Sequence, residues 1–345
     1  MKRIKRCAAA LTAVSLLFLS GCGSYSEVDR LAIVAGGAVD FAQERYTLSC
    51  QVVLPADENP QTELVTVSDS SPAALLTKLN ETSGRAGYFS HAQLFLLTEP
   101  LCRRGLSSLL RHFFLNDEIR LSSRFAVVQN AQPNALLEAS LPSESISSYG
   151  MYDMLSSPPY DLDMPFYKIL SAAGERDIVL PAVSLKDGMP YISGTAVFRG
   201  DKLAGWLSIP ETGILSLLLG TGKNFIYPAG DSAVEIKHTV CHIYPVLENE
   251  VPVFHLELSV TAEPQGQCDG SALVRSIRQD VTALCETLHT EFASDPLGLV
   301  RSLYQYIPAY GGEFDNALQT FAVEPEITVK LLKNSTTGGD GDEYQ

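Results

Sequence analysis

Apolar positions recur along the chain at two periods, and the switches between them mark out its elements. Leu31 to Asp40 and Tyr46 to Leu54 read as a strand pair; in the second, Tyr46, Leu48, Cys50, Val52 and Leu54 alternate onto one face. Ser71-Pro72 then starts a helix, with Ser as N-cap and Pro at the first helical position, that runs through Leu75, Leu76 and Leu79 toward Gly84. Next come a strand at Ala92 to Leu97, a helix from Pro100 to about Leu115, a strand at Arg124 to Val128 and a short helix after Pro133.

Residues 141–190 break this rhythm. Pro142, Pro158, Pro159, Pro165, Pro181 and Pro190 punctuate the stretch, and proline at that density predicts a connecting region with one helix near Ser145 to Leu155. Beyond it, Tyr191 to Phe198, a Gly200-Asp201 turn and Lys202 to Leu207 form a hairpin pattern. Ser208-Ile-Pro-Glu211 is a capping-box pattern that launches a helix ending at Gly220. Ala233 to Ile243 and Val251 to Val260 alternate as two long strands joined through residues 245–250. From Ser271 to about Phe292, Leu273, Ile277, Val281, Leu284 and Leu288 make one apolar stripe able to cover a sheet face. A short helix at Asp315 to Gln319 and a strand at Glu326 to Leu332 close the body.

The expected fold class is therefore α/β of the α+β type: mixed sheets packed by helices, multi-domain and not doubly wound. The expected division is a leader at 1–21, an N-terminal domain at 22–140, the Pro-rich connection at 141–190, a C-terminal domain at 191–335 and a disordered acidic tail at 336–345.

The leader changes the picture most. Lys2, Arg3, Lys5 and Arg6 precede an apolar run from Cys7 to Leu19, the order of parts in a secretory signal and too short to span a bilayer. Leu19-Ser20-Gly21-Cys22 reads as a bacterial lipobox, in which Cys22 is acylated and becomes the first mature residue. The competing reading is a plain signal peptide ending near a cysteine. No later stretch is long and apolar enough for a second span, so lasting attachment falls to lipid or partners. Two or more acyl chains suffice, because each buried CH₂ contributes about 0.8 kcal/mol.

Charge narrows the partners. The chain carries a formal charge of -15, and without the four basic leader residues 21 basic side chains face 40 acidic ones. That balance excludes nucleic acid, which needs a basic footprint, and gives the body no attraction for anionic head groups. Beyond Cys7 and Cys22 the cysteines are Cys50, Cys102, Cys241, Cys268 and Cys285; the odd number, long spacings and lack of C-x-x-C signal neither a zinc module nor a disulfide framework, and leave any pairing open.

Motifs for catalysis are mostly lacking. Gly220-Thr-Gly-Lys223 is no phosphate loop, since Leu217 stands at the first glycine position and Asn224 at the Ser/Thr position; a helix C-cap explains it. His238 and His242 share a strand face and could converge with His255 on a metal, against the plainer reading of half-exposed strand histidines. Asp117-Glu118 and Asp161/Asp163 read as solvated loop acids. No catalytic, cofactor or metal residue is assigned.

Several short motifs, in order, resemble a known family. Cys22, Glu27 and Leu31-Ala-Ile-Val-Ala-Gly-Gly-Ala-Val-Asp40 are similar to the opening of the Ger(x)C spore germination lipoproteins, the C subunits of germinant receptors. Phe89-Ser-His-Ala-Gln93, Asn116-Asp-Glu-Ile-Arg120, Gly194-Thr-Ala-Val-Phe198, Lys202-Leu-Ala-Gly-Trp-Leu207 and Glu211-Thr-Gly213 match later family segments. Gly23 stands where the family usually has Trp, and Asn116 where it has Arg. The resemblance implies a non-enzymatic, cofactor-free subunit, lipidated (palmitate-type chains) on Cys22 and held on the outer face of the spore inner membrane. Its implied partners are a multi-spanning A subunit and a transporter-like B subunit. The rival class is a lipid-anchored extracytoplasmic solute-binding protein, which calls for two doubly wound lobes around a cleft. For each matched motif, packing is a simpler role than partner contact, since apolar and capping residues serve the fold first.

Overall fold

The computed structural model describes residues 31–54, 60–116, 119–142, 144–157, 162, 164–172, 174–249, 251–308, 310, 322–332 and 342–345. The leader, Cys22, Gly23, Glu27, the helix expected at Asp315 to Gln319 and the acidic pairs Asp117-Glu118 and Asp161/Asp163 lie outside them.

The first sheet is built from β1 (Leu31–Ala42), β2 (Arg45–Leu54), β3 (Gln61–Asp69), β4 (Ala86–Tyr88), β5 (Leu94–Thr98), β6 (Arg124–Val128), β7 (Val179–Lys186), β8 (Met189–Arg199) and β9 (Lys202–Leu207). Its order is β3-β2-β1-β5-β6-β7-β8-β9, with β4 also paired to β1. The pairs from β1 through β7 along this path are parallel, and both wings are antiparallel. Parallel central strands need cover on both faces, and they have it. On one face pack α1 (Pro72–Ser83), α2 (Glu99–Arg104) and α3 (Ser107–Leu115), bringing Leu75, Leu79, Leu101, Leu109 and Phe113 onto Phe95 and Phe125. On the other lie α4 (Pro133–Leu137) and α5 (Ser147–Ser156), whose Leu136, Leu137, Met151 and Leu155 cover Leu94, Leu96, Ala126 and Val128.

Local sequence explains these elements. Ser71 caps α1 by accepting from the Ala73 N–H at 3.3 Å, Pro72 opens the helix, and Gly84 ends it at φ 64°. The single helix expected from Pro100 to Leu115 is two, because Gly105 at φ 121° breaks it and the next amide, Leu106 N–H, donates to Asp201 O at 2.9 Å.

The Pro-rich stretch also holds more than a connection. It supplies α6 (Phe166–Ala172) and the core strand β7, where Pro181 sits opposite Thr195 of β8. The hairpin β8–β9, expected on sequence to open the C-terminal domain, is instead hydrogen-bonded into the first sheet.

The second sheet, ordered β10-β11-β12-β13-β14, comprises β10 (Phe225–Ala229), β11 (Ser232–Glu248), β12 (Val251–Pro264), β13 (Ala322–Leu331) and β14 (Asp342–Tyr344). β11 and β12 run longer than expected, pairing as far as Glu248 with Val251, with Asn249 left-handed at φ 49° in the turn. Strand pairing also reaches the acidic tail, expected to be disordered: β14 pairs with β13, and the Tyr344 ring lies where a side chain on Gly270 would be. α7 (Ile209–Leu218) bridges to this half, α8 (Gly270–Glu286) covers its inner face, and α9 (Leu299–Tyr306) packs on Phe254 at the end of that face. Asp269 caps α8, accepting from Ser271 N–H at 2.9 Å, and Leu273, Ile277, Val281, Leu284 and Leu288 are all buried as the stripe requires. Each such side chain contributes roughly 1.5–3 kcal/mol.

Gln51, on the face of β2 opposite the Tyr46-to-Leu54 stripe, is only 2% exposed. Its Nε2 donates to Leu137 O at 2.7 Å, and its Oε1 accepts from Ser148 N–H at 3.1 Å, tying β2 to α4 and to the first turn of α5. Gln51→Leu would strand both buried backbone groups, at roughly 1–3 kcal/mol each. Urea unfolding of that variant should show a loss of about 2–6 kcal/mol, and a loss below about 0.5 kcal/mol would contradict this role.

Candidate functional site

Among the described residues the side chains singled out for chemistry do not converge. His238 and His242 project from the outer face of β11 beside exposed Val240, while His255 on β12 stacks on Tyr244 at 5.6 Å and has Nδ1 3.8 Å from Glu324. No group of three metal-ligating residues forms among the described residues. Cys50, Cys102, Cys241, Cys268 and Cys285 are all unpaired; burial pushes the Cys241 and Cys285 thiols up to about 12, and raises Cys50 and Cys102 as well, which keeps them protonated and unreactive. Gly220, at φ 72°, ends α7, and Thr221 and Gly222 donate back to Ser216 O, so Gly220 to Lys223 is a helix terminus.

What does converge is the set of sequence motifs at β8, β9 and the start of α7. They form the seam between the two halves. Gly205 in β9 receives the Phe292 ring: a Cβ there would lie 2.2 Å from a ring carbon. Gly213 in α7 receives Phe225 of β10 in the same way, at 2.1 Å. Gly194, at φ 147°, lets β8 pass so close to β9 that a Cβ would meet Leu207 O at 2.0 Å. Thr195 and Thr212 share a buried hydrogen bond of 2.9 Å, and the Glu211 carboxylate accepts from Ser208 N–H at 2.7 Å as the capping box requires. The Gly-Thr-Ala-Val-Phe, Gly-Trp-Leu and Glu-Thr-Gly segments thus fix one joint. The earlier motifs are structural too: Asp40 accepts from Thr98 Oγ1 at 2.5 Å at the ends of two neighbouring strands, and Gln93 N–H donates to Ala35 O at 3.0 Å.

A π-helical turn at Thr287–Glu291 makes the other side of the joint. The extra residue per turn rotates the chain after α8, so that Leu288 and His289 are both buried and Phe292 turns toward Gly205. Ser294 Oγ then donates to Phe198 O at 2.6 Å, and Asp177 accepts from Asp295 N–H at 2.8 Å and from Gly200 N–H at 2.6 Å. Asp295 accepts from Leu299 and Val300 N–H at 2.8 and 2.9 Å, and burial raises its carboxyl above the usual range despite those bonds. His289, which carried no signal in the sequence, is 4% exposed with Nε2 unpartnered, and burial pushes its pKa down to about 4.

The comparisons with known proteins agree with the architecture. Residues 24–185 match the family model described as the spore germination protein N-terminal domain, and residues 193–334 match the one described as spore germination B3/GerAC like, C-terminal. The chain belongs to the Ger(x)C family of spore germination proteins. It is 25% identical to spore germination protein B3 of Bacillus subtilis (strain 168), over 94% of this chain and 96% of that protein. It is 23% identical to spore germination protein KC of the same organism, over 42% of this chain and 39% of that protein. A crystal structure of the GerBC protein shares the fold, with a TM-score of 0.59 and 21% identity over 86% of this chain and 97% of that one. The border between the two family models falls at β8, where the two halves meet.

Two measurements test the joint. Gly205→Ala forces a methyl into the Phe292 ring and should lower stability by about 1–3 kcal/mol, and Phe292→Leu in the same chain should restore part of that loss; equal stability of Gly205→Ala and the native chain would refute the contact. For His289 the folded pKa lies below the unfolded one, so between 6.5 and about 4 the unfolded state binds the extra proton and stability falls as pH falls. Unfolding from pH 7 to 4 should show this slope, on the order of 3 kcal/mol in total, and His289→Leu should flatten it.

Proposed function

We propose that the chain is the C subunit of a germinant receptor: a non-enzymatic assembly subunit, held by lipid on Cys22 to the outer face of the spore inner membrane, working with membrane-embedded A and B subunits. The family match running in order across both halves of the chain is the observation that carries this reading. The lipobox at Leu19 to Cys22 supports the anchor. Among the described residues no helix is long and apolar enough to cross a membrane. The rival, a lipid-anchored solute-binding protein, calls for two doubly wound lobes, whereas the first sheet here has antiparallel wings and the second is mostly antiparallel.

The test is Cys22→Ala in the sporulating host. The native chain should partition into the detergent phase, carry acyl chains at its N-terminus and co-purify with A and B membrane subunits. The variant should move to the aqueous phase and lose most of that co-purification. A native chain that is unacylated, or that co-purifies with neither subunit, would sink the proposal.

A further inference from the structure

On the seam, beside the joint, lies an open cleft of about 600 Å³, the size of a small-molecule site and at the domain boundary where such sites concentrate. One wall is α6 with the turn after it, the other is α9, and Ile243 of β11 and Leu297 complete the lining. Among the described residues it is lined by three basic side chains, Lys168, Arg176 and Arg301, and by one carboxylate, Glu175, in a protein with 40 acidic and 25 basic residues. Two exposed rings flank the cations: Tyr167 is 50% and Tyr306 60% exposed.

The partners of these groups point to the ligand. Arg301 is paired with Glu175, so an internal carboxylate already occupies part of a cationic site. Arg176, half-buried, directs Nη2 at the Met164 thioether at 3.6 Å, a weak acceptor that leaves the guanidinium fork donors for an oxyanion. The next acids along the seam, Asp177 and Asp295, direct their oxygens at backbone amides.

We propose that the cleft between α6 and α9 binds a small organic oxyanion with a flat or apolar body, its charged end held by Arg176 and Arg301 in competition with Glu175 and its body against Tyr167 and Tyr306. The cleft contains neither Cys22 nor any residue the proposed receptor role invokes, and its test uses the isolated chain, so its failure and the failure of that role are distinguishable. An oxyanion could also come from a phospholipid head group; the flanking Tyr167 and Tyr306 rings favour the flat solute.

The test is calorimetric titration of the full-length chain, in a non-ionic detergent at pH 7.5, with benzoate and with glycerol 1-phosphate, the head group stripped of its chains. Benzoate should bind saturably and tighter than glycerol 1-phosphate. The double variant Arg176→Gln/Arg301→Gln should bind benzoate at least about tenfold more weakly, about 1.4 kcal/mol. Glu175→Gln, which removes the internal competitor and leaves every cation in place, should bind it a few-fold more tightly, a gain that mere loss of structure would not produce. Thermal unfolding of each variant checks that the body is folded. No saturable benzoate binding by the native chain, or equal binding by the native chain and the double variant, would overturn the site. Tighter binding of glycerol 1-phosphate than of benzoate would overturn the flat solute in favour of a head group.

Discussion

Everything in the second half of the chain is positioned by aromatic rings seated on glycines. Among the described residues the two sheets share no strand pairing, so the described backbone ladders do not orient one against the other. Orientation comes from Phe292 on Gly205 and Phe225 on Gly213, with Ser294 bonded to Phe198 O and Asp177 bonded to the amides of Gly200 and Asp295. Rings give large contact area with few rotatable bonds, and glycine is the residue that lets them approach the backbone. The matched motifs at β8, β9 and α7 are read most simply in these terms, since their glycines, threonines and capping Glu211 all serve the joint.

Much of the fold was legible because local signals agreed with tertiary needs. β1, β2, β6, α1 and α8 come directly from period, caps and stripe. The losses have particular causes. β7 was hidden by the prolines around it, and Pro181 is tolerated within it although it donates nothing to the ladder. β14 is three residues of an acidic tail, held by a non-local pairing and by Tyr344 against Gly270. The hairpin β8–β9 was recognisable as a hairpin, but which sheet it would join depends on contacts with β7, far weaker in the sequence than the turn between its strands.

The candidate sites divide along the same line. The proposed anchor at Cys22 rests on a lipobox pattern, which is read from a contiguous stretch with no need of the folded body. The cleft is not, since Lys168 and Arg176 stand in the Pro-rich stretch and Arg301 in a segment with no clear period, and only the joint brings them together. His289 is likewise silent, because its burial depends on one π-helical turn.

Charge links the anchor and the cleft physically. An acidic body gains nothing from an anionic surface, and exposed charges more than about 8 Å apart are largely screened at physiological salt. Apolar insertion is the form of attachment such a body can use, which is why the proposed lipid on Cys22 suits its charge. Within that acidic body Lys168, Arg176 and Arg301 come together on one open cleft between α6 and α9, with Glu175 among them and paired to Arg301.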